Sequence, residues 1–337
     1  MMKMFKLMFF NSMMIGTFIT ISANSWLSAW IGLEINLLSI IPLLKNNKNK
    51  FPSEAALKYF IAQLMGSSLL LFSISMLLIS KSSIEQLSSS ETMILSSALL
   101  LKMGAAPLHF WFPEVLKGLS WMNTFIMLTW QKIGPMILLS YLIKTNVMFF
   151  SFIIIMSSMI SGLQGLNQTS MRKILAYSSI NHISWMISSL LTSINIFFFY
   201  FLIYSLINLN IIIILKNNNI TYMTQLNNIL SFNKKLKFLF MLNFLSLGGL
   251  PPFLGFLPKW LTINSLIENN HYFITTTLII FTLITLYFYM RITFSSFTIY
   301  SMENLLINFK KKNYFHYFFN FILLMSLIYC SMMDSFM

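Results

Sequence analysis

The chain has 337 residues, of which 57% are hydrophobic and only 9% charged, with a mean hydropathy of +0.75. A water-soluble domain carries roughly a quarter of its residues as Asp, Glu, Lys and Arg, so this composition cannot cover a globular surface, and lipid has to replace water as the main solvent. The formal charge of +14 would suit a phosphate backbone, but the basic residues sit in short breaks between apolar runs without an aromatic platform, which is a pattern of membrane topology and not of nucleic-acid binding.

Cys330 is the single cysteine, so no intrachain disulfide and no cysteine-built metal or iron–sulfur site is expected. The four histidines are scattered without metal-ligand spacing, and there is no Gly-rich phosphate loop. No metal and no redox or nucleotide cofactor is therefore expected in this chain. The 34 Phe and 26 Met, with abundant Ile, Asn and Lys, follow A/T-rich codons and hint at an animal organelle genome.

A bilayer core about 30 Å thick takes roughly 20 apolar residues per helix. The run 4–22 lacks a small-residue processing site and leads straight into 25–44, so it reads as a first span and not as a cleaved leader. Spans three to five follow at 55–79, 92–112 and 121–143, and spans six to eight at 147–168, 173–192 and 195–215. The last three are 236–262, 272–294 and 314–333. The fold class is all-α: a polytopic membrane protein of about eleven helices forming one membrane domain.

Charge placement supports the count. The N-terminus and the even-numbered connections then share one face, holding Lys3, Lys6, Lys45, Lys48, Lys50, Lys117, Arg172, Lys173, Lys216, Lys234, Lys235, Lys237, Arg291, Lys310, Lys311 and Lys312. The opposite face holds only Lys81 and Lys144. Sixteen against two is a strong positive-inside pattern and places the N-terminus on the cytoplasmic or matrix side.

Two spans read as broken. The fourth contains Gly104, Pro107 and Pro113, and the ninth runs Leu247-Gly248-Gly249-Leu250-Pro251-Pro252-Phe253-Leu254-Gly255. An internal proline removes a backbone hydrogen bond, which a membrane tolerates only where protein or water supplies a replacement. The breaks lie five helices apart and so in opposite orientations, as in two five-helix inverted repeats. The expected repeats are residues 1–145 and 146–295, with a loop and C-terminal helix in 296–337.

Beyond the eighteen basic residues on the two faces, the remaining ones, Lys58, Lys102, Lys132 and Lys259, each lie inside a span, as does Glu34. A charge at the bilayer centre costs roughly 2.5–3.5 kcal/mol even on the mildest insertion scale, so such side chains face a protein or watery interior. One carboxylate cannot neutralise four lysines, so simple packing accounts for at most one of them. Lys58 lies early in its helix and can snorkel to the basic interface. A lysine balanced between desolvation and a nearby carboxylate can load and release a proton, which an arginine cannot. Glu34 is the expected electrostatic switch, and His182, in the polar stretch from Tyr177 to Trp185, a candidate bridge; a lone histidine is as often a packing residue. His109 is expected towards the basic-side interface.

The segments Trp30 to Asn36, Glu54 to Phe60, Lys102 to Pro113, Trp130 to Pro135, Gly165 to Thr169 and Ser246 to Lys259 together resemble the antiporter-like membrane-arm subunits of NADH–ubiquinone oxidoreductase, respiratory complex I, in their short insect-like form. The resemblance runs in order over nearly the whole chain. It implies a proton-translocating subunit of the mitochondrial inner membrane, with Glu34 and Lys102 as the switch pair, Lys132 as the central lysine, Lys259 in the second broken helix, and Lys58 in a less certain role. It implies no cofactor in this chain: NADH, FMN, iron–sulfur clusters and ubiquinone belong elsewhere in the complex. The implied partners are the other membrane-arm subunits, their supernumerary neighbours and phospholipids. A subunit of a related multisubunit cation/proton antiporter, or a non-conducting scaffold of the membrane arm, are the competing expectations.

Overall fold

An open chain crosses lipid only as helix, because every backbone N–H must find its acceptor within the segment. The computed structural model describes residues 2–45, 50–80, 89–229, 234–251 and 253–297; among them are fourteen helices, no β-strand, and one isolated bridge between Ser170 and Tyr222. Seven stretches among the described residues are long and apolar enough to cross a membrane: Met4–Ile21, Trp26–Leu44, Phe51–Ile79, Trp121–Leu142, Val147–Leu166, Ile194–Asn217 and Tyr272–Phe294. The expected eleventh span, 314–333, lies outside the described residues. The chain divides into two compact units, Met1–Ser157 and Ser158–Met337.

In the first unit α1 (Met2–Ile21) packs along α2 (Trp26–Leu44). Glycines allow the close approach: a Cβ on Gly16 would lie 2.9 Å from the Asn36 backbone nitrogen, and one on Gly32 would lie 2.8 Å from that of Thr20. Small residues at such crossings are what membrane helices use in place of a hydrophobic driving force. The next elements are α3 (Phe51–Ser80), α4 (Ser89–Met103), α5 (Trp111–Gly118), α6 (Trp121–Leu128) and α7 (Trp130–Leu142). α3 packs on α2, α4 and α5, and α7 packs on α1, α4 and α6.

The expected fourth span is interrupted. α4 stops at Met103, residues 104–110 are not helical, and α5 resumes at Trp111. Gly104 has φ +75°, its N–H bonds to Leu101 O, and the Ala105 N–H reaches back to Leu100 O. That is a Schellman ending, in which a left-handed residue turns the chain back on the last helical carbonyls. The fifth span, expected as one helix, is also interrupted, at Thr129 between α6 and α7. Farther on, Pro135 supplies no N–H, so the carbonyl of Gln131 receives no helical bond from it.

α8 (Val147–Leu166) runs across the unit boundary. The second unit continues with α9 (Met171–Thr192), α10 (Ile194–Asn217), α11 (Met223–Ile229), α12 (Lys234–Gly248), α13 (Phe256–Glu268) and α14 (Tyr272–Phe297). α9 is buried almost throughout, against α10, α13 and α14. It tolerates many serines because Ser178, Ser179, Ser184, Ser188 and Ser189 each donate to the carbonyl three residues back, at 2.6–2.8 Å. α12 ends like α4: Gly249 has φ +77°, its N–H bonds to Ser246 O, and the Leu250 N–H reaches Leu245 O. Both interrupted helices thus close with the same motif, built on a glycine just past the end.

Candidate functional site

In the first unit the structure brings together Glu34 of α2 and Lys102 in the last turn of α4, with Nζ 3.4 Å from Oε1. The Lys102 side chain is 3% exposed and that of Glu34 20%. Separating two such charges in a low-dielectric interior leaves each without compensation, so the pair is held strongly while it is closed.

Two side chains fix the backbone that carries Lys102. Gln63 of α3 donates Nε2–H to Lys102 O at 3.0 Å, and Trp111 of α5 donates Nε1–H to Leu101 O at 3.1 Å. A helix end leaves its last carbonyls short of main-chain donors; Gln63 serves that of Lys102, and Trp111 adds a second donor to Leu101 O, which already accepts from the Gly104 N–H. Tyr59 of α3 packs on Trp111, with ring centroids 5.8 Å apart. A chain of hydrogen bonds links three helices nearby: Tyr59 Oη donates to Gln131 Oε1 at 3.3 Å, and Gln131 Nε2 donates to Asn36 Oδ1 at 2.8 Å.

Lys132 of α7 is 1% exposed, with Nζ 5.6 Å from the centroid of the Phe112 ring, a cation–π geometry. Lys58 departs from the expected set. It is an exposed residue of α3 paired with Glu114 of α5 at 3.2 Å, and both side chains are about half exposed. Its place early in α3 takes it to the surface, so it does not join the buried charges. His109 is buried, with Nδ1 3.3 Å from Pro107 O, while its neighbours Leu108 and Phe110 are exposed.

In the second unit Lys259 of α13 is buried and donates from Nζ to Gly248 O at 2.8 Å and to Leu247 O at 3.4 Å. The ammonium caps the C-terminal end of α12, where the helix dipole favours a cation. It also lies 5.8 Å from the centroid of the Trp185 ring. His182 of α9 is buried, with Nδ1 2.8 Å from Tyr200 Oη and its ring 4.8 Å from that of Tyr204. Among the described residues no three His, Cys, Asp or Glu side chains come together as a metal site would need.

Residues 23–285 match the family described as NADH:quinone oxidoreductase/Mrp antiporter, TM. The chain belongs to this family. Within the NADH:quinone oxidoreductase/Mrp antiporter family, the NADH-ubiquinone oxidoreductase chain 2 of Anopheles gambiae is 48% identical over 330 residues, covering 96% of each chain. That of Locusta migratoria is 49% identical over 300 residues, 89% of this chain and 87% of its own. The fold is shared with a chain of respiratory complex I from Thermus thermophilus, with a TM-score of 0.83 at 21% identity over 96% of this chain and 77% of that one. It is also shared with a chain of the Mrp complex from Dietzia sp., with a TM-score of 0.71 at 15% identity over 83% and 58%.

Gln63, Trp111, Tyr59, Gln131 and Asn36 were not among the charged candidates, yet the structure sets them around Lys102. A lone Gln in the apolar run of α3 is the one signal that marks Gln63, since a polar side chain at membrane depth has to find a bond.

Proposed function

We propose that the chain is a core membrane-arm subunit of NADH:ubiquinone oxidoreductase in the mitochondrial inner membrane, and that it moves protons by way of Glu34, Lys102, Lys132 and Lys259, with His182 as a bridging group. The observation that carries the proton path is the buried Glu34–Lys102 pair at the end of an interrupted helix. A lysine there can change its charge as its carboxylate approaches or withdraws, and the cost of stranding an unpaired ammonium drives the proton on. Lysine at positions 102, 132 and 259, and arginine at none of them, fits a path in which every station must be able to release its proton.

The identity to chain 2 proteins over nearly the full length supports the oxidoreductase assignment. On this reading the redox groups (NADH, FMN, iron–sulfur clusters and ubiquinone) lie in other subunits. The partners are the other membrane-arm subunits, their supernumerary neighbours and phospholipids. The N-terminus faces the matrix, an assignment supported by the sixteen-to-two charge split. The eleven-helix topology with inverted repeats at 1–145 and 146–295 is part of the same proposal, supported by the two matching Schellman endings in α4 and α12.

The fold shared with the Mrp complex favours a second reading, a subunit of a cation/proton antiporter without electron transfer. A non-conducting scaffold is the third. Lys132→Ala in the assembled complex separates them. The expected result is that NADH oxidation by ubiquinone persists while protons moved per electron fall; an unchanged ratio refutes the path, and a chain found only in a redox-silent assembly refutes the oxidoreductase reading.

A further inference from the structure

A small cavity lies beside Lys102, bordered by Asn36, Tyr59, Gln63 and Gln131 on its polar side and by Leu33, Leu37 and Pro135 on its apolar side. About 10 Å³ of it is open to the centre of a water molecule, the room for one water. Its polar groups have bonding capacity to spare. Gln63 uses Nε2 on Lys102 O and keeps its carbonyl oxygen as an acceptor. Asn36 accepts from Gln131 with Oδ1 and keeps its amide N–H groups as donors. Tyr59 donates its hydroxyl proton to Gln131 and keeps oxygen lone pairs, and Lys102 spends one N–H on Glu34 and has two others. A buried water needs two to four polar partners, and this cavity offers at least that many.

We propose that Asn36, Tyr59, Gln63 and Gln131 form a binding site for a single water molecule, which replaces Glu34 as the hydrogen-bond partner of the Lys102 ammonium when the pair opens. Gln131 is the positioning residue. It accepts from Tyr59 and donates to Asn36, so it orients a donor and an acceptor on α3 and α2 from a place on α7 next to Lys132. Without such a water, opening the pair would leave a buried ammonium with no replacement partner, a state costly enough to keep the pair shut. The site therefore sets how readily the switch opens, and no bond to hydrogen has to break for it to do so.

This inference rests on the proton-path reading, and the experiment keeps the two apart. Gln131→Leu and Tyr59→Phe are made in the assembled complex beside Lys102→Met, and coupled NADH oxidation and proton movement are measured in sealed vesicles in H2O and D2O. If the water serves the switch, Gln131→Leu slows coupled turnover about tenfold, the loss of one hydrogen bond to a charged group. Its solvent isotope effect falls, because opening of the pair and not proton transfer then limits the rate, while KM for quinone stays unchanged, a pattern that looser packing alone does not produce. Lys102→Met that abolishes pumping beside a Gln131→Leu with normal rate and isotope effect overturns the water site alone. Lys102→Met with normal pumping overturns the path and the water site together. A map of the unmodified complex that resolves ordered waters gives a check independent of folding: density within hydrogen-bond distance of the Asn36 amide and the Gln63 carbonyl is expected, and a dry cavity refutes the proposal.

Discussion

Gly249→Ala is the substitution whose consequence follows most directly from the geometry of α12. Gly249 has φ +77°, where a Cβ is strained by about 1–2 kcal/mol. The added methyl carbon would also stand 2.7 Å from Lys259 Cδ and 3.0 Å from its Nζ. The lysine is the flexible partner, so it gives way and loses the 2.8 Å bond to Gly248 O, and a hydrogen bond to a charged group is worth about 1.5–3 kcal/mol. The lost bond alone weighs against the seated ammonium by about tenfold or more in its population, while the backbone strain lowers the stability of the α12 end itself. Gly248→Ala is the matched control: a Cβ there meets nothing nearer than Tyr289 Cδ2 at 3.5 Å and Leu286 Cγ at 3.7 Å, ordinary contacts. In vesicles carrying the assembled complex, Gly249→Ala is expected to lower protons moved per electron and the temperature of inactivation, while Gly248→Ala leaves both near the starting values. Indistinguishable behaviour of the two variants would refute the view that Gly249 exists to make room for Lys259.

Lys58→Ala is expected to leave proton stoichiometry unchanged, because an exposed pair such as Lys58–Glu114 contributes under about 1 kcal/mol; a clear loss of pumping would return Lys58 to the path. Arg291→Met removes two guanidinium bonds from α14 to the Leu166 and Gln168 carbonyls at the end of α8. At about 1.5–3 kcal/mol for each bond to a charged group, the complex should inactivate at a lower temperature, read as residual activity after heating.

The charged members of the site were legible in the sequence because a charge in an apolar run has few reasons to be there. The interruptions of α4 and α12 were legible because Gly104 and Gly249 stand beside prolines in otherwise helical segments. The break at Thr129 was not, since the residues around it are good helix formers and the local backbone there departs from helix only in the folded context. Nor was the partner of Lys58: Glu114 is remote in sequence, and only the packing of α5 on α3 brings them within reach. Arg291 read only as a charge of the basic face near the end of the tenth span; that its guanidinium meets the carbonyls at the end of α8 shows only in the folded chain. The neutral residues around Lys102 were hidden for a different reason. Asn, Gln and Tyr in a membrane helix each have bland packing roles, and only their mutual distances distinguish a network from scattered polar residues.

The two interrupted helices close with the same backbone motif yet use their lysines in different ways. At the end of α4 the carbonyl of Lys102 is taken by a neutral donor, Gln63, and that of Leu101, already bonded to the Gly104 N–H, takes a second neutral donor from Trp111. The Lys102 ammonium is thereby spared that duty and can pair with Glu34 on another helix. At the end of α12 there is no such substitution: the ammonium of Lys259, arriving from α13, takes the carbonyls of Leu247 and Gly248 itself. The charge of Lys102 is therefore tied to the distance between α2 and α4, and the charge of Lys259 to the integrity of the α12 end. A carboxylate that moves can switch the first. The second responds to whatever loosens the helix terminus beneath it, which is why crowding at Gly249 should reach Lys259 and leave the Glu34–Lys102 pair untouched.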